Sequence, residues 1–311
     1  MGRDASPRAW GRRAGWAALR IAGLLVVLGA IMLVFERKLI YFPQRAHDVT
    51  PRQLGLAFED LTLTAEDGVR IHAWYLPPPG EPRFTVLFAH GNAGNVSHRL
   101  DRALLLQSRL GAAVLLFDYR GYGRSEGSPD EEGTYRDARA AHRWLVEEKR
   151  VPPDRLVIFG ESLGSAVALD LALSRPCRAL VLESPFASVP AMARAVYPFL
   201  PLWPFVRTRY DNEGKAPRLT VPLLVLHGDR DEVVPFAQGR RVFEAAPGPK
   251  RFFAIPGAGH NDTYVVGGEA YWDVVRDFLE TLPPGRVGPL SPGRPGQRGP
   301  ATGAKTRSSA S

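Results

Sequence analysis

Eight short apolar runs, set apart by turns or helix-like stretches, constrain this 311-residue chain more than any other feature. They are Phe58–Thr64, Val69–Tyr75, Thr85–His90, Ala113–Tyr119, Leu156–Gly160, Ala179–Glu183, Leu223–His227 and Arg251–Ile255. The first two flank Glu66-Asp67-Gly68, a turn signal, and read as a hairpin. The later runs are continuously apolar, as strands covered on both faces are. Helical stretches lie between them at Val96–Leu110, Thr134–Glu148, Leu163–Leu173, Phe236–Glu244 and Glu269–Thr281. Strands and helices alternating this closely need right-handed crossovers. They predict an α/β domain over residues 58–282 with a mostly parallel central sheet and helices on both faces.

Two stretches break the rhythm. Residues 184–220 are long for a connection between neighbouring strands and rich in proline and aromatics, which predicts a lid. Within it Tyr197–Val206 is almost wholly apolar and carries three prolines, which oppose a regular helix. That stretch can cover the sheet, line an acyl-binding groove, or dip into a bilayer. Residues 283–311 are rich in Pro, Gly, Ser and Arg with little to bury, and are expected to be disordered.

The net charge of +8 suggests nucleic acid until it is mapped. The first twenty residues carry a net +4 and the tail from Leu282 a net +5, so the part between is near neutral. No nucleic-acid partner is expected. A single cysteine, Cys177, excludes an intrachain disulfide and a cysteine metal cluster. Near the amino terminus, residues 21–35 are all apolar or glycine. As a helix they span about 22 Å, and extension through Trp16–Leu19, with Arg20 snorkelling, reaches the ~30 Å of a hydrocarbon core. The exit, Val34-Phe35-Glu36-Arg37-Lys38, lacks the small residues of a cleavage site. Residues 1–42 therefore read as a basic segment and an uncleaved single-pass anchor. The excess of arginines ahead of it places the catalytic part outside the cytoplasm.

Gly160-Glu161-Ser162-Leu163-Gly164 matches G-x-S-x-G. The pentapeptide alone is weak evidence, but it follows an apolar strand and opens an Ala- and Leu-rich helix. A strained nucleophilic serine requires that setting. A serine hydroxyl also needs a base, which follows it in the chain, after an acid, in such a sheet. Of the two later histidines, His227 lies inside an apolar run and reads as core or strand end. His260, in Gly257-Ala258-Gly259-His260, sits on a loop that can reach the serine. Asp229, Asp231 and Glu183 all end strands and remain open as the acid. For an oxyanion hole the backbone N–H of Leu163 is one donor, and Asn92, in the loop after the third run, is the choice for the other.

The runs His90-Gly91-Asn92-Ala93-Gly94-Asn95, Asp118-Tyr119-Arg120-Gly121-Tyr122-Gly123-Arg124-Ser125-Glu126-Gly127, Gly160–Gly164, Gly228-x-x-Asp231-x-x-Val234-Pro235 and Gly259-His260-Asn261-Asp262 resemble, in this order, the Bem46-like branch of the α/β hydrolases. The likeness covers about Asp60 to Leu282. It implies the α/β-hydrolase fold, Ser162 as nucleophile, His260 as base and Asp231, not Asp229, as the acid. Glu161 and Ser165 depart from some relatives, which bears on substrate preference.

These readings point to a serine esterase or thioesterase acting on an apolar acyl group through an acyl-enzyme, with no metal or organic cofactor. A lipid or an acylated protein could carry the acyl group. The same fold also hosts peptidases and cofactor-free haloperoxidases. A non-enzymatic membrane protein is the remaining alternative, disfavoured by an intact Ser, Asp and His set.

Overall fold

A computed structural model describes residues 35–199 and 203–282, and residues 15, 16, 19, 20, 23 and 26–29 upstream. All eight apolar runs form strands, within a residue or two of their expected ends. They are β1 (Glu59–Thr64), β2 (Arg70–Leu76), β3 (Phe84–Ala89), β4 (Ala112–Phe117), β5 (Leu156–Glu161), β6 (Ala179–Glu183), β7 (Leu223–Gly228) and β8 (Lys250–Ile255). They build one sheet in the order β8-β7-β6-β5-β3-β4-β2-β1. Only β2 runs antiparallel to its neighbours, through the β1–β2 hairpin and against β4. The other pairings are parallel.

The continuous apolar runs are explained by burial on both faces. Along β3, Leu87 and Ala89 enter one core while Val86 and Phe88 enter the other. The first core packs against α2 (Glu131–Glu147) and α3 (Leu163–Ser174), the second against α1 (Leu100–Leu110) and α7 (Thr263–Thr281). Helix α4 (Val189–Val196), a short α5 (Asn212–Lys215) and α6 (Phe236–Ala245) complete the set. α7 starts six residues before the expected Glu269, and a kink at Gly268, with φ 50°, marks where its pattern is interrupted.

In residues 184–220, the segment expected to form a lid, Ser188 accepts a hydrogen bond from Ala191 N at 3.2 Å and opens α4, a helix too short for periodicity to reveal. A 3-10 turn at Trp203–Phe205 follows. The boundary expected at residue 42 runs through packed structure. Residues 35–40 are helical and Tyr41 is buried, its hydroxyl 2.9 Å from that of Tyr210. Phe42–Pro43 pairs in parallel with Ala93–Gly94. Most of the apolar run 21–35, and the tail 283–311, lie outside the described residues. Among the described residues no helix is long and apolar enough to cross a membrane.

Two glycines separate the demand for space from the demand for backbone freedom. A Cβ on Gly164 would stand 2.0 Å from the Ala89 carbonyl oxygen, whereas at Gly68 nothing lies within 4 Å but φ is +85°. We expect Gly164→Ala to cost about 3 kcal/mol or more, the upper end of overpacking. Gly68→Ala should cost about 1–2 kcal/mol. Urea denaturation midpoints compare the two, and the opposite ranking would contradict this packing.

Candidate active site

β5 ends at the centre of the sheet and the chain turns directly into α3. Ser162, at the turn, holds φ 52° and ψ −115°, a left-handed conformation that a residue with a side chain occupies only under constraint. Its N–H donates to the Glu183 carbonyl of β6 at 2.9 Å. The flanking glycines are required by close approach. A Cβ on Gly160 would lie 2.4 Å from the Gly164 carbonyl oxygen, and one on Gly164 would enter the end of β3. The turn thus lifts Ser162 clear of the sheet at the carboxyl edge of the strands.

β7 and β8, being parallel to β5, end on the same edge and deliver the next two side chains. His260, on the loop after β8, places Nε2 3.0 Å from Ser162 Oγ and Nδ1 2.8 Å from Asp231 Oδ2. Asp231, just past β7, is itself fixed by the N–H groups of Val233 and Val234, which donate to Oδ1 at 2.9 and 2.7 Å. Burial alone would raise the Asp231 pKa, but hydrogen bonds from His227 and His260 outweigh it and hold the carboxyl well below the usual range. Burial opposes a charge on His260, yet the neighbouring Asp231 carboxylate reverses this and raises its pKa above the ordinary imidazole value.

The three candidate acids therefore occupy different places. Asp229 points away, accepting from Gly257 N at 2.7 Å. Glu183 is buried and paired with Arg102 at 2.7 and 2.8 Å, with Thr263 Oγ1 donating at 2.7 Å and the Tyr271 hydroxyl also bonded. Only Asp231 meets His260. His227 is buried at the end of β7 as expected. Its Nε2 lies 3.3 Å from Asp231 Oδ2 and 3.0 Å from the Val234 carbonyl, a contact with the acid that the apolar run around it concealed.

Asn92 and Leu163 are the remaining candidates. Both residues border the same cavity as Ser162, and among the described residues neither backbone N–H donates a hydrogen bond. The Asn92 carbonyl accepts from Phe42 N at 3.1 Å and from the Tyr122 hydroxyl at 2.8 Å, while Asn92 Nδ2 donates to Ile40 O at 2.9 Å. Asp118, from the glycine-rich block after β4, accepts from Val96 N at 2.9 Å and so ties down the same loop. His47 and His72 each lie within hydrogen-bond distance of Asp118 Oδ2, at 3.1 and 3.3 Å. Burial opposes the Asp118 charge, but these bonds bring its pKa down to about 2.

A cavity of about 550 Å³ opens beside Ser162. Its walls come from three places: Glu36, Leu39, Ile40 and Phe42 ahead of the sheet; Phe186 with Val189, Met192, Ala193, Val196, Tyr197 and Val206 of the lid; and Val233 and Val234 beside Asp231. Apart from the site residues and Glu36, the lining is apolar. The Glu36 carboxylate faces the lid backbone, accepting from Arg207 N at 3.0 Å and Thr208 N at 2.6 Å.

A family model for the alpha/beta hydrolase fold matches residues 85–221. An uncharacterized protein of Mycobacterium tuberculosis is 42% identical over 82% of this chain and 92% of its own length. Protein bem46 of Schizosaccharomyces pombe is 33% identical over 85% of this chain and 91% of its own. An uncharacterized membrane protein of Saccharomyces cerevisiae is 32% identical over 83% and 94%. Among solved structures, an esterase of Pyrococcus furiosus shares the fold with a TM-score of 0.64 at 23% identity, over 78% of this chain and 98% of that one. On these likenesses the chain belongs to the Bem46-like family of α/β hydrolases.

Proposed function

We propose that this chain is a serine hydrolase that cleaves an ester or thioester of an apolar acyl group through an acyl-enzyme. The hydrogen-bonded series Ser162–His260–Asp231 at the mouth of an apolar cavity carries the reading. The fold shared with an esterase is compatible with many reactions and does not itself select one.

The distances among Ser162, His260 and Asp231 support the following steps. His260 Nε2 takes the Ser162 proton as Oγ attacks the acyl carbonyl. Asp231 holds the imidazole in the Nδ1–H tautomer and stabilises its charged form. The N–H groups of Leu163 and Asn92 receive the oxyanion. His260 then returns its proton to the leaving alcohol or thiol. In the second half it activates water, which releases the acid and restores Ser162. The apolar walls supply affinity for the acyl chain, and its length is limited by the cavity.

We also read residues 21–35 as a single-pass anchor with the catalytic part outside the cytoplasm. The length and flanking charge of that run support this, as does a yeast relative named as a membrane protein.

Ser162→Ala should lower kcat for a chromogenic ester by about 10⁴ to 10⁶ while leaving the unfolding midpoint unchanged. Retained turnover would remove Ser162 from the mechanism. A panel of esters, thioesters and amides of graded chain length, read on the same protein, decides between acyl-ester and peptidase chemistry. The acids are separated by rate. Asp231→Asn should cost about 10⁴ through the wrong imidazole tautomer, with far smaller losses for Asp229→Asn and Glu183→Gln.

The pH dependence has a definite sign. Only neutral His260 accepts the serine proton, so kcat/KM must fall as pH drops through its pKa. Because Asp231 raises that pKa, the midpoint should lie above the ordinary imidazole value. A profile flat through neutrality, or one with its midpoint below that value, would contradict the pairing.

A further inference from the structure

The mouth of the Ser162 cavity is rimmed by side chains that water does not favour. Leu39, Phe42, Val196, Tyr197 and Val233 line the cavity and are also exposed, from 45% at Val233 to 57% at Leu39. Phe35 lies one helical turn before Leu39, on the same face, and is exposed as well. Phe199, two residues past Tyr197, is 94% exposed. Single exposed apolar residues are ordinary, but five lining one opening mark a surface with an occupant.

Two observations identify that occupant. The first is charge. The two longer segments of the rim, residues 35–42 and 189–209, carry Lys38, Arg194, Arg207 and Arg209, all exposed, and Arg37, also exposed and 3.4 Å from Asp130. Their one acid, Glu36, is buried with its carboxylate turned to the lid backbone. The short segment around Val233 carries Asp229, Arg230 and Glu232, whereas the two longer segments set a cationic border beside the apolar rim, which matches the boundary between anionic headgroups and acyl chains. The second is continuity. Phe35 ends the apolar run 21–35 and lies in the helical stretch 35–40, whose Leu39 lines the cavity. A bilayer entered by that run lies at the cavity mouth.

We propose that the cavity mouth sits on an anionic lipid bilayer and that the acyl chain enters the Ser162 cavity from the membrane. The statement about substrate rests on the acyl-hydrolase reading, whereas the seating on the bilayer does not. In this arrangement Lys38, Arg194, Arg207 and Arg209 contact headgroup phosphates, Phe35 and Phe199 reach the acyl boundary, and the chain slides along Leu39 and Val196 to Ser162 without crossing water.

The test uses the full chain reconstituted into vesicles. Cys177, the native cysteine, is buried, with its thiol pushed up to about 12 by burial, so an introduced surface cysteine takes the label. Phe199→Cys carries an environment-sensitive fluorophore. Ser174→Cys, exposed at the opposite end of α3 from Ser162, carries the same label as control. In vesicles containing phosphatidylglycerol the Phe199 label should shift to the blue and be quenched by brominated acyl chains, and the Ser174 label should do neither. Pure phosphatidylcholine should give a smaller shift. A Phe199 label that stays in water in both vesicle types overturns the proposal, as does one shielded only when a soluble protein is added. Activity gives the second arm. Phe199→Asp should leave hydrolysis of a water-soluble acetate ester unchanged. On a long-chain ester carried in anionic vesicles it should lose about tenfold or more. Equal losses on both substrates contradict entry from the membrane. A label that enters the bilayer on a protein without esterase activity would keep the seating and remove the acyl reading.

Discussion

The approach of α3 to the ends of β3 and β5 is the constraint on which the remainder of the molecule depends. Gly160 and Gly164 remove the two side chains that would keep helix and sheet apart, and Ser162 is left in a left-handed conformation between them. That positive-φ conformation costs on the order of 1–3 kcal/mol for a residue with a Cβ. It persists because the strands around it are buried on both faces and because Glu183 O and the first turn of α3 hold the backbone on either side. A parallel sheet then ends β5, β7 and β8 on one edge, so loops of a few residues suffice to bring Asp231 and His260 to the serine.

Much of this was legible in the chain. Continuous apolar runs are the direct consequence of two-sided burial, which is why all eight strands could be read. The elbow was legible through its neighbours rather than its pentapeptide: Leu156–Phe159 before it, an Ala- and Leu-rich helix after it. The acid was not readable from spacing, because Asp229, Asp231 and Glu183 all end strands. They differ in what meets them in space, where Arg102 neutralises Glu183 and Gly257 N occupies Asp229. Family resemblance singled out Asp231, and the distances put the same residue beside His260. The contact between His227 and Asp231 had no sequence signal, since a histidine in an apolar run looks like core.

The segment before the sheet was the least legible part. Read as an anchor ending at residue 42, it contributes a buried tyrosine, a short parallel pairing beside Asn92 and one wall of the cavity. Its Glu36 binds the backbone of the lid across more than 170 residues of chain. Such contacts join segments far apart in sequence and leave no local pattern. They make the cavity a product of the amino-terminal segment and residues 184–220 together, so a change in either alters the space above Ser162.

The central claim is that an acyl group is carried by Ser162 during turnover. Rapid acid quenching of the enzyme within the first turnover of a long-chain nitrophenyl ester, followed by peptide mass spectrometry, locates that group directly. The account predicts one acyl mass increment on the peptide containing Ser162, formed at the rate of the nitrophenol burst. An increment on another residue, or product release with no acylated peptide, would contradict it.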